Sequence, residues 1–189
     1  MNFQFLFEKL ESSNEYADFM KENPEAYLTS GFFVLDIENK GTAKEVNQYT
    51  LDFFSLTKNP DELGKWWSFQ FQKEGVKLTP LNKIEDKNVE IPDFIKNPSK
   101  ITAKSTIEFD EIQRLIQEEM DKKYITNKIQ KILMVLQKQS DSDLVEKYVC
   151  TVFISGLGLL KVIIEDANDG GGKVVFFEKK SFFDMMRKK

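Results

Sequence analysis

Four apolar runs between Tyr124 and Phe177 constrain this chain more than any other feature. They are Ile129–Leu136, Tyr148–Ile154, Leu159–Ile164 and Val174–Phe177. Turn-forming residues separate them: Ser140-Asp141-Ser142-Asp143, then Gly156-Leu157-Gly158, then Asn168-Asp169-Gly170-Gly171-Gly172. Runs this short, rich in Val, Ile and Phe and split by Gly, Asp and Ser, predict an antiparallel meander. No catalytic motif sits on it. The first run also fits a helix, through Ile125, Ile129, Ile132, Leu133 and Leu136. The turn and the β-branched run that follow it favour a strand.

Alternation along these strands sets a second constraint. Tyr148, Cys150, Val152 and Ile154 share one face of their strand, and Val149, Thr151 and Phe153 share the other. In the next strand Leu160, Val162 and Ile164 oppose Leu159, Lys161 and Ile163. A sheet covered by one helix should show one polar face, yet both faces here carry apolar side chains. Something must cover the second face. The two halves of the chain packed against each other are the first expectation, and a homodimer is the second. The terminal segment Phe182–Met186 and a ligand are the remaining covers.

The first half repeats the theme. Phe3, Leu6, Phe7 and Leu10 fall at helical spacing. Ser12 with Glu15 forms a capping-box pattern for a second helix carrying Tyr16, Phe19 and Met20. Strand-like segments follow at Tyr27–Ile37 and Val46–Leu56, linked by Asn39-Lys40-Gly41. Asn59-Pro60-Asp61 breaks the second. Trp66–Gln72 alternates Trp67, Phe69 and Phe71 against Trp66, Ser68, Gln70 and Gln72. Val76–Thr79 ends at Pro80. Residues 83–100 read as a linker with Pro92 and Pro98, pinned by Ile91, Phe94 and Ile95. Ser105 and Glu108 then predict the start of an amphipathic helix over 108–121, with Phe109, Ile112, Leu115, Ile116 and Met120 on its apolar face. Ser181 would cap a short C-terminal helix ending in Arg187-Lys188-Lys189.

The expected fold is therefore α+β, built as two helix-plus-antiparallel-meander units. Each unit is a helix packed on a curled four-stranded sheet, residues 1–82 and 101–189 being the two domains. Tyr27-Leu28-Thr29-Ser30 and Tyr124-Ile125-Thr126-Asn127 echo each other at the start of the two meanders. The echo raises an internal repeat, with chance similarity as the alternative.

Composition excludes several chemistries. The chain has 189 residues and no histidine, which removes Ser-His-Asp and Cys-His catalysis and His-bound zinc. Its one cysteine, Cys150, cannot form an internal disulfide, and lies mid-strand without an activating group. A net charge of −4 argues against a nucleic-acid partner. No apolar run reaches the roughly 18 residues of a membrane span. The N-terminal Met1–Lys9 stretch lacks the basic start of a signal peptide. These features predict a cytoplasmic protein.

The segment 108–121, Lys131–Leu136, and Lys161–Ala167 running into Gly170–Gly172 and Lys173-Val174-Val175 together resemble PepSY modules and the cystatin-like group. The resemblance spans roughly residues 105–180. It implies a helix laid on a curled sheet, with a binding rather than a catalytic role. The missing export signal departs from many PepSY modules and puts a peptidase-inhibitor role in doubt.

Candidate sites reduce to a surface. Asp166-Ala167-Asn168-Asp169-Gly170 fails as a calcium loop, because Gly170 has no side chain and Phe177 stands where a bidentate Glu is needed. Gly156-Leu157-Gly158 lacks the Lys and the helix of a phosphate loop. Asp52, between Leu51 and Phe53, reads as part of a solvated face. Lys179, Lys180, Arg187, Lys188 and Lys189 read as a solvated tail. Trp66 among polar residues, with Phe153, Leu159 and Ile163 on the second face of the meander, marks an interaction surface. No cofactor or metal is expected. The leading functional reading is a non-catalytic protein-binding or assembly module, with itself or another protein as partner. A carrier of a small apolar ligand between helix and sheet is the alternative. An enzyme using carboxylates or Lys comes third.

Overall fold

Period-2 alternation governs most of the chain. In the computed structural model, residues 1–56, 64–81, 97–138, 145–166 and 171–181 are described. The Asn59-Pro60-Asp61 break, residues 83–96 of the linker, the Ser140–Asp143 turn, Asn168–Gly170 and the predicted terminal helix lie outside them. The elements run α1 (Phe3–Glu11), α2 (Asn14–Glu22), β1 (Tyr27–Asp36), β2 (Gln48–Ser55), β3 (Lys65–Gln72) and β4 (Gly75–Leu81). Then come α3 (Phe109–Lys122), β5 (Ile129–Gln137), β6 (Lys147–Ile154), β7 (Gly158–Asp166) and β8 (Gly172–Ser181).

The content is α+β, but the expected arrangement is overturned. The eight strands form one antiparallel sheet in the order β4-β3-β2-β1-β5-β6-β7-β8. There are not two helix-plus-four-strand units. β1 and β5 hydrogen-bond to each other, with Phe32 opposite Val135 and Val34 opposite Leu133. The physical reason is edge satisfaction. The first strand of a free-standing meander leaves its backbone donors and acceptors unpaired along one side. Both first strands are apolar on both faces, so pairing them satisfies two edges and makes one continuous core. The two halves thus share an edge and not a face, which also removes the expected face-to-face packing of one half on the other.

The three helices among the described residues pack on the same face. Phe19 of α2 meets Phe53, Trp67 and Phe69 with ring centroids 5.2 to 5.8 Å apart. Phe3 of α1 and Phe109 of α3 both contact Phe33, at 5.9 and 4.8 Å. From β5 to β7 the same face buries Ile132, Met134, Leu136, Tyr148, Cys150, Val152, Leu160, Val162 and Ile164. Gly31 of β1 lies under the Phe3 ring. A Cβ there would fall 2.5 Å from Phe3 and from Phe33, so only glycine lets α1 sit this close.

Four local expectations are corrected. Ser13, and not Ser12, caps α2, its hydroxyl accepting from the Tyr16 amide at 3.2 Å. Glu108 occupies the cap position of α3, while Ser105 is buried and bonded to Tyr148. Tyr124 does not open a strand. It takes a left-handed conformation (φ 57°) just past α3. The amides of Tyr124 and Ile125 close back on Asp121 and Met120, so this segment ends the helix and β5 begins only at Ile129. The phrase that echoed Tyr27–Ser30 therefore has no matching structural role. Pro80 was expected to end its strand but lies within β4, opposite Trp67. An edge strand tolerates it, because a proline's missing donor is harmless on the side facing solvent.

Candidate functional site

The helix-free face of the sheet is where the remaining surface chemistry collects. Registers place its side chains in rows that cross the strands. One row runs Phe32, Val135, Val149, Ile163 and Phe176, from β1 through β5, β6 and β7 to β8. All five residues are apolar. The first four are half-buried and Phe176 is 41% exposed. Cross-strand apolar neighbours of this kind stabilise a sheet, yet no helix lies over them among the described residues.

Charged rows flank this one. On one side stand Lys147, Glu165 and Lys173, on β6, β7 and β8. Lys147 and Glu165 pair at 3.0 Å. On the other side stand Leu133, Thr151, Lys161 and Glu178, on β5 through β8. The Lys161 ammonium lies 5.8 Å from the centre of the Phe176 ring. One row further out come Lys131, Phe153, Leu159 and Lys180. Phe153 is 36% exposed.

All four residues expected at an interaction surface, Trp66, Phe153, Leu159 and Ile163, lie on this helix-free face. Three of them cluster on β6 and β7. Trp66 lies well away, on β3, packed against Phe54 with centroids 5.2 Å apart and opposite Leu81 in β4. Phe54 is fully buried there, between Trp66 and Tyr27. Sequence reasoning missed Phe32, Val135, Val149 and Phe176. Their alternation was visible, but their alignment depends on the registers of four strand pairs.

The same face carries a buried polar cluster that alternation did not single out. Asp52 sits between Ser30 of β1 and Ser68 of β3, directly opposite both. Ser30 donates to one carboxylate oxygen at 2.9 Å and Ser68 to the other at 2.7 Å. A bulge at Thr29 sets this register, and the Thr29 hydroxyl donates to the Asp52 carbonyl at 3.0 Å. Burial raises the Asp52 carboxyl above its ordinary range, with the two serine hydrogen bonds pulling the other way. Asp52 is thus a held, partly desolvated group and not the freely solvated one expected.

A cavity of about 200 Å³ opens at one end of the sheet, among Asp36, Lys40, Asn47, Tyr49, Phe109 and Asp110. Its polar groups are already engaged. Asp36 accepts from the Asn39 side chain and from the Val46 amide, which holds its carboxyl below the usual range and folds the β1–β2 connection. Lys40 pairs with Asp110 at 2.8 Å. Cys150 is fully buried on the helix side, and desolvation pushes its thiol up to about 12. Gly156-Leu157-Gly158 forms the β6–β7 turn, with positive φ at Gly156 and Leu157.

Fold and surface together define an α+β scaffold of one sheet, filled by helices on one side and presenting an apolar row between charged rows on the other. No family model matches the chain, and no curated protein or solved structure matches it either. The likeness to PepSY and cystatin-like modules therefore rests on sequence pattern alone. No helix among the described residues is long and apolar enough to cross a membrane.

Proposed function

We propose that the protein is a non-catalytic binding or assembly module that docks a protein on the helix-free face of its sheet, over β5 to β8. One observation carries this reading: the row Phe32, Val135, Val149, Ile163 and Phe176 is apolar across five strands and, among the described residues, has no helix over it. Apolar area left in water forgoes about 25 cal/mol per Å², so a row of this length favours a partner that removes it from solvent. The flanking lysines and glutamates supply the polar rim that surrounds the apolar centre of an interface. The lack of histidine and the serine bonds that occupy Asp52 support a role without catalysis.

Site-specific photo-crosslinking in the native host tests this. A photoreactive phenylalanine analogue replaces Phe153 in one protein and the exposed loop residue Tyr124 in another. The expected result is a discrete protein adduct, the chain itself included, from position 153 only. Equal or absent labelling from both positions would overturn the reading.

A further inference from the structure

We propose that the partner on this face is a second copy of the chain, seated about a two-fold axis that runs along the apolar row. This rests on the docking reading above and names its occupant. Such an axis lays each strand over its own copy, so Val149, Ile163 and Phe176 each meet themselves. It also exchanges the two flanking rows, so each row of one copy faces the other row of its mate.

The charges fit that exchange. The row on one side places Lys147 on β6, Glu165 on β7 and Lys173 on β8. The row on the other side places Thr151, Lys161 and Glu178 on the same three strands. After the exchange Glu165 faces Lys161, Lys173 faces Glu178, and Lys147 faces neutral Thr151. Every facing charge is opposite in sign, and each pair occurs twice by symmetry. No like charges meet in these rows. The match comes from the chain's own register and needs no partner of separate origin.

Geometry and size allow it. Two sheets stack about 10 Å apart, with strand directions within about 30° of each other. Lysine and glutamate side chains span that gap. Five strands at about 4.8 Å and three rows at about 6.8 Å give a footprint of roughly 24 by 20 Å in plan. That plan area, roughly 480 Å² per copy, falls below the ~800 Å² per partner of a standard interface and lies in the range of smaller, weaker ones. The pairs already present on one copy do not compete strongly. The Lys147–Glu165 pair has side chains about a third exposed, and such pairs are worth little alone.

The test uses the full chain and sedimentation velocity over a concentration series. The wild type should form a dimer, and Val149→Glu should dissociate it without changing the circular dichroism spectrum. The decisive arm uses surface charges that leave the core untouched. Glu165→Lys places Lys against Lys in its own homodimer, and Lys161→Glu places Glu against Glu, so each variant alone should dimerise about tenfold or more weakly. Mixed one to one, the two variants face each other with Lys against Glu at both contacts. Dimer should then return, as a heterodimer. A wild type that stays monomeric up to its solubility limit would overturn the proposal. So would a dimer that survives Val149→Glu, or a mixture no more associated than its parts. A monomeric wild type that still crosslinks to another protein through position 153 would sink the second copy alone and leave the docking reading standing.

Discussion

The hydroxyls of Ser105 and Tyr148 meet at 3.0 Å inside the helix–sheet core, with both residues buried. Neither has water to fall back on. This contact ties the segment before α3 to the second strand of the C-terminal meander. Ser105→Ala leaves the tyrosine hydroxyl buried without its partner, and should cost about 1–3 kcal/mol. Tyr148→Phe should cost a similar amount, by stranding the serine. The double variant removes both groups, and should cost clearly less than the sum. Urea unfolding of the four proteins in a double-mutant cycle measures this, and strict additivity would show that the contact contributes nothing.

Asp52 predicts a pH signature. Its carboxyl is raised in the fold by burial, so the unfolded chain gives up this proton first as pH rises. From this group, stability is lost as pH climbs from the unfolded value of about 3.9 through the folded value, and regained as pH falls back through that window. An asparagine at this position would keep both serines satisfied, since an amide can accept from one hydroxyl and donate to the other. Asp52→Asn should therefore melt higher than wild type at pH 7, with the gap closing toward pH 4. A variant that melts lower at pH 7 would mean that the charged carboxylate is favourable where it sits.

Gly31 predicts a steric cost. A methyl group there meets Phe3 and Phe33 at 2.5 Å, and both rings are fully buried. Gly31→Ala should destabilise by about 1–3 kcal/mol through overpacking, although alanine in a strand is otherwise preferred to glycine. Phe3→Leu in the same chain should recover part of the loss by vacating space. Denaturant midpoints compare the two, and an unperturbed single variant would show that α1 shifts away at no cost.

Much of the local structure was legible because alternation is a local property. The split of Trp67, Phe69 and Phe71 from Trp66, Ser68 and Gln70 holds, as does the split of Tyr148, Cys150 and Val152 from Val149, Thr151 and Phe153. The faces of β7 follow the same rule. What could not be read was pairing. Phe32 and Val135 face each other although they lie far apart in the chain, and nothing local distinguishes β5 from any other apolar partner for β1. The Asp52 cluster was hidden for the same reason. Its serines come from two other strands, and one register depends on the Thr29 bulge. Capping patterns misled where a serine had a better use: Ser105 fits the helix-start signature, but its hydroxyl is claimed by Tyr148. Alternation was enough to place Trp66, Phe153, Leu159 and Ile163 on one face, but the cross-strand row could not be read, because a row is a product of register.

The two outer strands close off one mode of association. β4 carries Pro80, which has no donor to offer an incoming strand. At the other end, β8 is interrupted by a bulge at Val175, between the pairs Ile163–Phe176 and Ile164–Val174, and carries Lys179 and Lys180 further on. An incoming strand finds a broken ladder on one side and a kinked, charged margin on the other. Sideways growth into longer sheets or fibres is discouraged at both ends, so a chain this rich in strand can leave an apolar row in solvent without polymerising through its borders.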